Sequence, residues 1–172
     1  SGIDVAVLNS PKNLNETEQR IQQIATLLDK EKEGSLMVWS IQDKLRSQII
    51  PPKASRVLFL YARPTGSPLL AGMKTAAASI ITMAGGVNAL QNVSGYQSLD
   101  ERVIVASQPE YILLTEDGLE SLGGKAKALR LPGIQQTPAG QKGHLIVMDD
   151  LLLLGFGPRV ADAIYDLSSM IQ

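Results

Sequence analysis

The chain has no cysteine. That excludes disulfides, thiolate-held iron–sulfur clusters and cysteine-type zinc sites. It has one histidine, His144, so a histidine-rich metal site is excluded too. Aromatic residues make up only 4% of the chain, with a single tryptophan. There is no excess of positive charge: 16 Lys+Arg against 17 Asp+Glu leave a formal net charge of −1. A nucleic-acid partner, which needs a basic surface for phosphate contacts, is therefore not expected. No run of roughly 20 apolar residues exists to span a bilayer. The start, Ser1-Gly2-Ile3-Asp4, has neither the basic nor the apolar region of a signal peptide, as expected of a mature or trimmed product.

What is present is enough apolar material for a packed core: 44% hydrophobic against 19% charged residues in 172. Ile3 to Leu8 reads as a short β-branched strand closed by Asn9-Ser10-Pro11. Asn13 with Glu16 marks a capping-box start, followed by Ile21, Ile24, Ala25 and Leu28 at helical spacing. A second helix runs to about Ile50, with Val38, Ile41, Leu45 and Ile49 in one stripe and Pro51-Pro52 as its stop. Trp39 on this helix reads as packing rather than ligand stacking.

From Arg56 the pattern changes to strand and helix in alternation. Val57 to Ala62 is continuously apolar, as in a parallel strand covered on both faces. A turn-rich loop, Arg63 to Pro68, leads to a helix with Met73, Ala76, Ala77, Ile80, Ile81 and Ala84 inward and Gly85-Gly86 as its end. Ser98 to Glu101 reads as a capping box before a short helix that ends ahead of Pro109. Tyr111–Thr115 and Leu145–Met148 are further strands, with helical turns around Gly123-Gly124 and a turn at Leu131-Pro132-Gly133. The last helix places Pro158 near its first position and carries Val160, Ala163, Ile164, Leu167 and Ile171. The expected fold is α/β: a small, mostly parallel sheet flanked by helices, plus a connecting helix. One short strand and one helix cannot make a core, so residues 1–30 read as the remnant of another lobe, 31–52 as a connector and 53–172 as an α/β lobe.

In open α/β sheets, ligands bind beyond the carboxyl ends of the strands. That rule selects the loop with Arg63, Thr65, Gly66 and Ser67, and also Asp149-Asp150. Tyr96, in a polar glycine-bearing loop, is placed either on the surface or as a pocket wall. Gly155-Phe156-Gly157-Pro158-Arg159 reads equally as an anion-binding helix start and as a plain turn. Gly85-Gly86-Val87-Asn88 is a helix end rather than a phosphate loop, since no G-x-G-x-x-G or G-x-x-x-x-G-K occurs. His144 has no nucleophile elbow to serve, and Asp149-Asp150 lack the further oxygen ligands of a calcium loop.

Several strings recur in order. They are Lys74-Thr75-Ala76-Ala77, Ala84-Gly85-Gly86-Val87-Asn88-Ala89, Gly95-Tyr96-Gln97-Ser98-Leu99 and Ala106-Ser107-Gln108-Pro109-Glu110-Tyr111-Ile112. Leu131-Pro132-Gly133, Thr137-Pro138-Ala139-Gly140 and Leu154-Gly155-Phe156-Gly157-Pro158-Arg159 follow. Together they resemble the periplasmic haemin-binding proteins of bacterial haem ABC importers, in the wider class that includes cobalamin- and siderophore-binding proteins. The resemblance covers nearly the whole chain. It implies two α/β lobes joined by one long helix, with ligand in the cleft between them, modest rather than large hinge closure, and a first lobe mostly missing here.

It further implies a periplasmic location, haem as transported ligand with no cofactor required, and an inner-membrane ABC permease as partner. Carried over by position, the cleft residues are Arg63, Thr65, Gly66, Ser67, Tyr96, Asp149 and Phe156. Arg63 is placed against a propionate and Tyr96 against the porphyrin face. In related proteins an axial Tyr comes from the first lobe. The family's permease-docking Glu stands seven residues before the proline of Ala-x-x-Pro. That position is Arg102 here, and the adjacent Glu101 is its substitute. Cobalamin or a ferric siderophore on the same scaffold is the alternative ligand, and a small α/β enzyme acting on an anionic metabolite the alternative class. The edge of the expected Ile3–Leu8 strand is open to pairing between chains.

Overall fold

The computed structural model describes residues 5–47, 50, 52 and 54–171. Its first element is helix α1, Leu14–Leu27. Asn13 caps it: the side-chain oxygen accepts from the Glu16 N–H at 2.9 Å, and Glu16 reaches back to the Lys12 N–H at 2.8 Å. One of the helix's orphan donors, Glu16 N–H, is thereby satisfied, and the returning Glu16 carboxylate fixes the Lys12 N–H just ahead of the cap. Helix α2, Glu31–Ser47, folds back along α1. Gln42 donates to Glu18 at 2.9 Å across the pair. Ile41 is buried, and Val38 and Leu45 pack on the core below, as the stripe predicts. Ile49 lies outside the described residues.

Of the expected Ile3–Leu8 strand, Ile3 and Asp4 lie outside the described residues, and the described part is not a strand. Residues 5–8 form no sheet pairing, and Val5 and Val7 are 79% and 88% exposed. A strand needs a partner for its backbone groups, and none of the described strands stands beside this segment. Edge-to-edge pairing between chains therefore has no strand edge to act on at residues 5–8.

Strand β1, Arg56–Tyr61, has four consecutive buried residues, as expected for a strand covered on both faces. Strand β2, Leu69–Ala71, returns antiparallel beside it. Helix α3, Ala76–Met83, starts at its Thr75 cap, so Met73 lies ahead of the helix and is 38% exposed instead of facing inward. Strand β3, Val87–Asn88, pairs parallel with the start of β1. Strand β4, Tyr96–Ser98, pairs with β2. Helix α4, Glu101–Ser107, is capped by Asp100, which accepts from the Arg102 and Val103 N–H groups. Ser98 ends β4 instead, so no capping box forms there.

Strand β5, Tyr111–Thr115, runs parallel to β1. Helices α5, Glu116–Ser121, and α6, Lys125–Ala128, flank Gly123-Gly124. A 3-10 turn, Ile134–Gln136, precedes helix α7, Pro138–Lys142. Strand β6, Leu145–Met148, pairs parallel with β5. Helix α8, Asp150–Leu154, and helix α9, Val160–Met170, close the chain, with Pro158 just before the α9 cap residue Arg159.

The strand order is β4-β2-β1-β5-β6, with β3 on β1. Alternate residues of β1 enter different cores: Val57 and Phe59 meet α2, α3, α8 and α9, while Leu58 and Leu60 meet α4, α6, α7 and the 3-10 turn. This is the layered α/β architecture expected from the sequence, with an antiparallel β2–β4 ribbon added at one edge.

Candidate functional site

Strand β1 ends at Tyr61, and at its carboxyl end Tyr61, Arg63 and Tyr96 come together. The Tyr61 ring lies 5.4 Å from the Tyr96 ring at 42°. The Arg63 guanidinium carbon sits 4.7 Å above the Tyr61 ring, in cation–π range. Register explains the meeting. Tyr61 opposes Leu69 on β2, Leu69 opposes Ser98 on β4, and Tyr96 stands two residues from Ser98, so Tyr61 and Tyr96 share one face of the sheet a diagonal step apart. Tyr96 is 44% exposed. Burial of the rest of the ring, and then the neighbouring Tyr61, push its phenol above the ordinary 10.0, while Arg63 pulls it back.

Arg63, Thr65, Gly66 and Ser67 are all exposed on the loop after β1, and Gly66 takes φ +98°, which favours glycine. Tyr61 was not among the residues the sequence pointed to, because it reads there as the last apolar position of a strand. Its place at a strand's carboxyl end, two residues before an arginine, was the available signal.

The other candidates stand apart. The Asp149 carboxylate accepts from the Leu152 N–H at 2.7 Å and caps α8. Asp150 accepts from the Asp117 N–H at 3.0 Å, tying the end of β6 to the end of β5. Phe156 is 1% exposed and packs in the core with φ +45°. His144 stacks on Tyr111 at 5.0 Å and 17°, at the amino end of the sheet, away from Tyr61. Glu101 is exposed and accepts from Gln136 at 2.7 Å. Trp39 is 61% exposed, so it is not the packing residue its spacing suggested. Among the described residues no group of three or more His, Asp or Glu could hold a metal ion, and no helix is long and apolar enough to cross a membrane. An apolar groove of about 500 Å³ separates the α1–α2 pair from the α8–α9 corner, lined by Ile24, Leu28, Met37, Leu151 and Pro158.

The chain is similar to several known proteins. The periplasmic heme-binding protein RhuT from Roseiflexus sp. RS-1, in apo form, is 35% identical, with a TM-score of 0.84 over 94% of this chain and 64% of its own. The periplasmic heme-binding protein BhuT in complex with two hemes is 30% identical, with a TM-score of 0.82 over 93% of this chain and 63% of its own. The periplasmic heme-binding protein HutB of Vibrio cholerae is 27% identical, with a TM-score of 0.87 over 98% and 68%. An ABC transporter substrate-binding lipoprotein of Bacillus subtilis strain 168, YvrC, is 22% identical over 177 residues, covering 99% of this chain and 54% of the relative. The chain thus spans little more than half to two thirds of the length of these proteins. The family model described as periplasmic binding protein matches residues 1–152, and on that match the chain belongs to the periplasmic binding protein family.

Proposed function

We propose that these residues form the spine and second lobe of a haem-capturing protein that feeds a membrane permease. Residues 1–30 would close the first lobe, 31–52 connect, and 53–172 form the second lobe. The observation that carries the reading is the Tyr61–Arg63–Tyr96 group at the carboxyl end of β1. Haem is a flat apolar disc with two carboxylates. The exposed Tyr96 ring suits the disc, and a guanidinium suits a carboxylate. Three of the similar structures are named as heme-binding, which supports haem over other cargo.

The two-lobe reading draws on the apolar surface of the α1–α2 pair. Ile24, Leu28 and Met37, which line the open groove, are 37%, 63% and 42% exposed. A patch of this kind marks an interaction surface, and the first lobe is its partner in this reading. The permease contact assigned to Glu101 is supported by its exposure and by the Gln136 hydrogen bond that holds it in place. The family name and the lipoprotein relative support a periplasmic or otherwise extracytoplasmic setting. The similar proteins are transport components, which favours binding over turnover.

The test is a haemin titration of the full-length protein. A shifted Soret band that saturates at fixed stoichiometry is expected. No spectral change, with tight cobalamin or ferric-siderophore binding instead, would replace haem as the ligand, and nucleotide or metabolite turnover would revive the enzyme.

A further inference from the structure

The segment between β2 and α3 contains an unusual residue. Lys74 has φ +62°, in the left-handed region that side chains rarely adopt, where a bare turn would favour Gly or Asn. Its neighbours fix it there. The Gly72 N–H donates to Gly95 O at 2.8 Å, the Met73 N–H to Val93 O at 2.7 Å, and the Gly95 N–H to Met73 O at 2.8 Å. On the other side the Thr75 hydroxyl donates to Gly72 O at 2.8 Å and accepts from the Ala78 N–H at 3.2 Å. Gly72 is itself obligatory, since a Cβ there would lie 2.3 Å from Val93 O. Strain held in place by so many bonds is a mark of binding segments.

What this rigid segment displays is an exposed ammonium, with no ion pair to any other described residue. Its position follows from register. In the antiparallel β2–β4 ribbon Leu69 opposes Ser98 and Ala71 opposes Tyr96, and just beyond it Met73 makes an isolated parallel bridge to Ser94. Tyr61 and Arg63 stand at the Leu69 end, and Lys74 at the Met73 end. Tyr96 therefore stands between the Leu69 end, with Tyr61 and Arg63, and the 93–95 stretch that holds Met73 beside Lys74. β2 itself ends at Ala71, and Gly72 and Met73 carry the chain on beside residues 93–95 to Lys74; a lysine has a flexible four-carbon stem with which to reach a ligand on the neighbouring ring.

We propose that Lys74 is a ligand-contacting residue: with Arg63 it flanks the Tyr96 ring and pairs with one carboxylate of a flat aromatic dicarboxylate laid on that ring. The assignment rests on the haem reading and specifies how the two propionates are divided. It also gives the strained backbone at Lys74 a function, because a lysine on a fixed segment loses less freedom on pairing than one on a mobile loop.

The test compares two probes on the full-length protein: haemin, and its dimethyl ester, which keeps the iron porphyrin and lacks free carboxylates. Lys74→Met should weaken haemin binding about fivefold and leave the ester unchanged. Lys74→Arg should retain haemin affinity, and the Lys74→Met effect should shrink with added salt. An unchanged haemin affinity in Lys74→Met, with the wild type binding normally, removes Lys74 from the site and leaves the haem reading standing. An equal loss for haemin and ester also overturns the pairing, because the effect then does not pass through a carboxylate. Failure of the wild type to bind haemin at all overturns the haem reading and this assignment with it.

Discussion

The Tyr61 and Tyr96 rings lie 5.4 Å apart, and Tyr61 alone carries the Arg63 guanidinium on its face. Tyr96 is thereby left with its protonated form favoured, mainly through burial and then through the neighbouring phenol. A raised folded-state pKa means that the folded protein holds this proton more tightly than the unfolded chain does. The associated stability is complete below the ordinary value of 10.0 and is lost as pH rises through the folded-state value. Tyr96→Phe should therefore flatten part of the alkaline loss of stability. Urea midpoints of the two proteins between about pH 8 and about pH 11 will show it. Parallel curves would mean that the phenol titrates alike in both states.

The same ring serves a second test. In the full-length protein, Tyr96→Ala should weaken haemin binding by about 1–2 kcal/mol if the ring stacks on the ligand, and Tyr96→Phe should weaken it far less. A Soret titration measures both. An unchanged dissociation constant in Tyr96→Ala would take Tyr96 out of the site.

The legibility of these features in the sequence was uneven, for physical reasons. Val57 to Leu60 announced a doubly covered strand because every residue is apolar, and each of the four is fully buried. The α9 stripe was equally plain, because 11 residues are enough for helical periodicity to show. Strands β2, β3 and β4 have three, two and three residues, too few for any alternation to register. Their absence from the sequence reading concealed the ribbon, and with it the meeting of Tyr96 with Tyr61 and the exposure of Met73-Lys74. Val5 to Leu8 misled in the other direction. Its composition is that of a strand, but composition carries no information about whether a partner strand is at hand.

Phe156 separates packing from binding. Its ring is 1% exposed within the core beneath α8 and α9. Phe156→Ala should cost about 3–5 kcal/mol of stability. Phe156→Gly should be no worse, because glycine adopts φ +45° without the strain that alanine keeps. Thermal or urea unfolding of both variants decides it. A Phe156→Ala protein of native stability would show that the ring contributes no packing.

Gly34 records how closely α1 and α2 approach. It sits inside a helix, where glycine costs about 1 kcal/mol relative to alanine, and yet it is buried. The reason is contact: a Cβ at this position would lie 2.4 Å from the Ala25 Cβ, nearer than two non-bonded carbon atoms can come. Neither atom is the far end of a flexible chain, so the two helices themselves must move apart. Gly34→Ala should therefore destabilise the α1–α2 pair by about 1–3 kcal/mol, more than its gain in helix propensity returns. The Glu18–Gln42 hydrogen bond that spans the pair should weaken with it. Ala25→Gly removes the opposing methyl, so the double variant Ala25→Gly with Gly34→Ala should recover much of the loss, a coupling that independent sites would not show. Thermal unfolding followed by circular dichroism, with Trp39 fluorescence as a probe on α2 itself, measures all three proteins. Equal losses in the single and double variants would mean that something other than the Ala25 contact keeps a glycine at position 34.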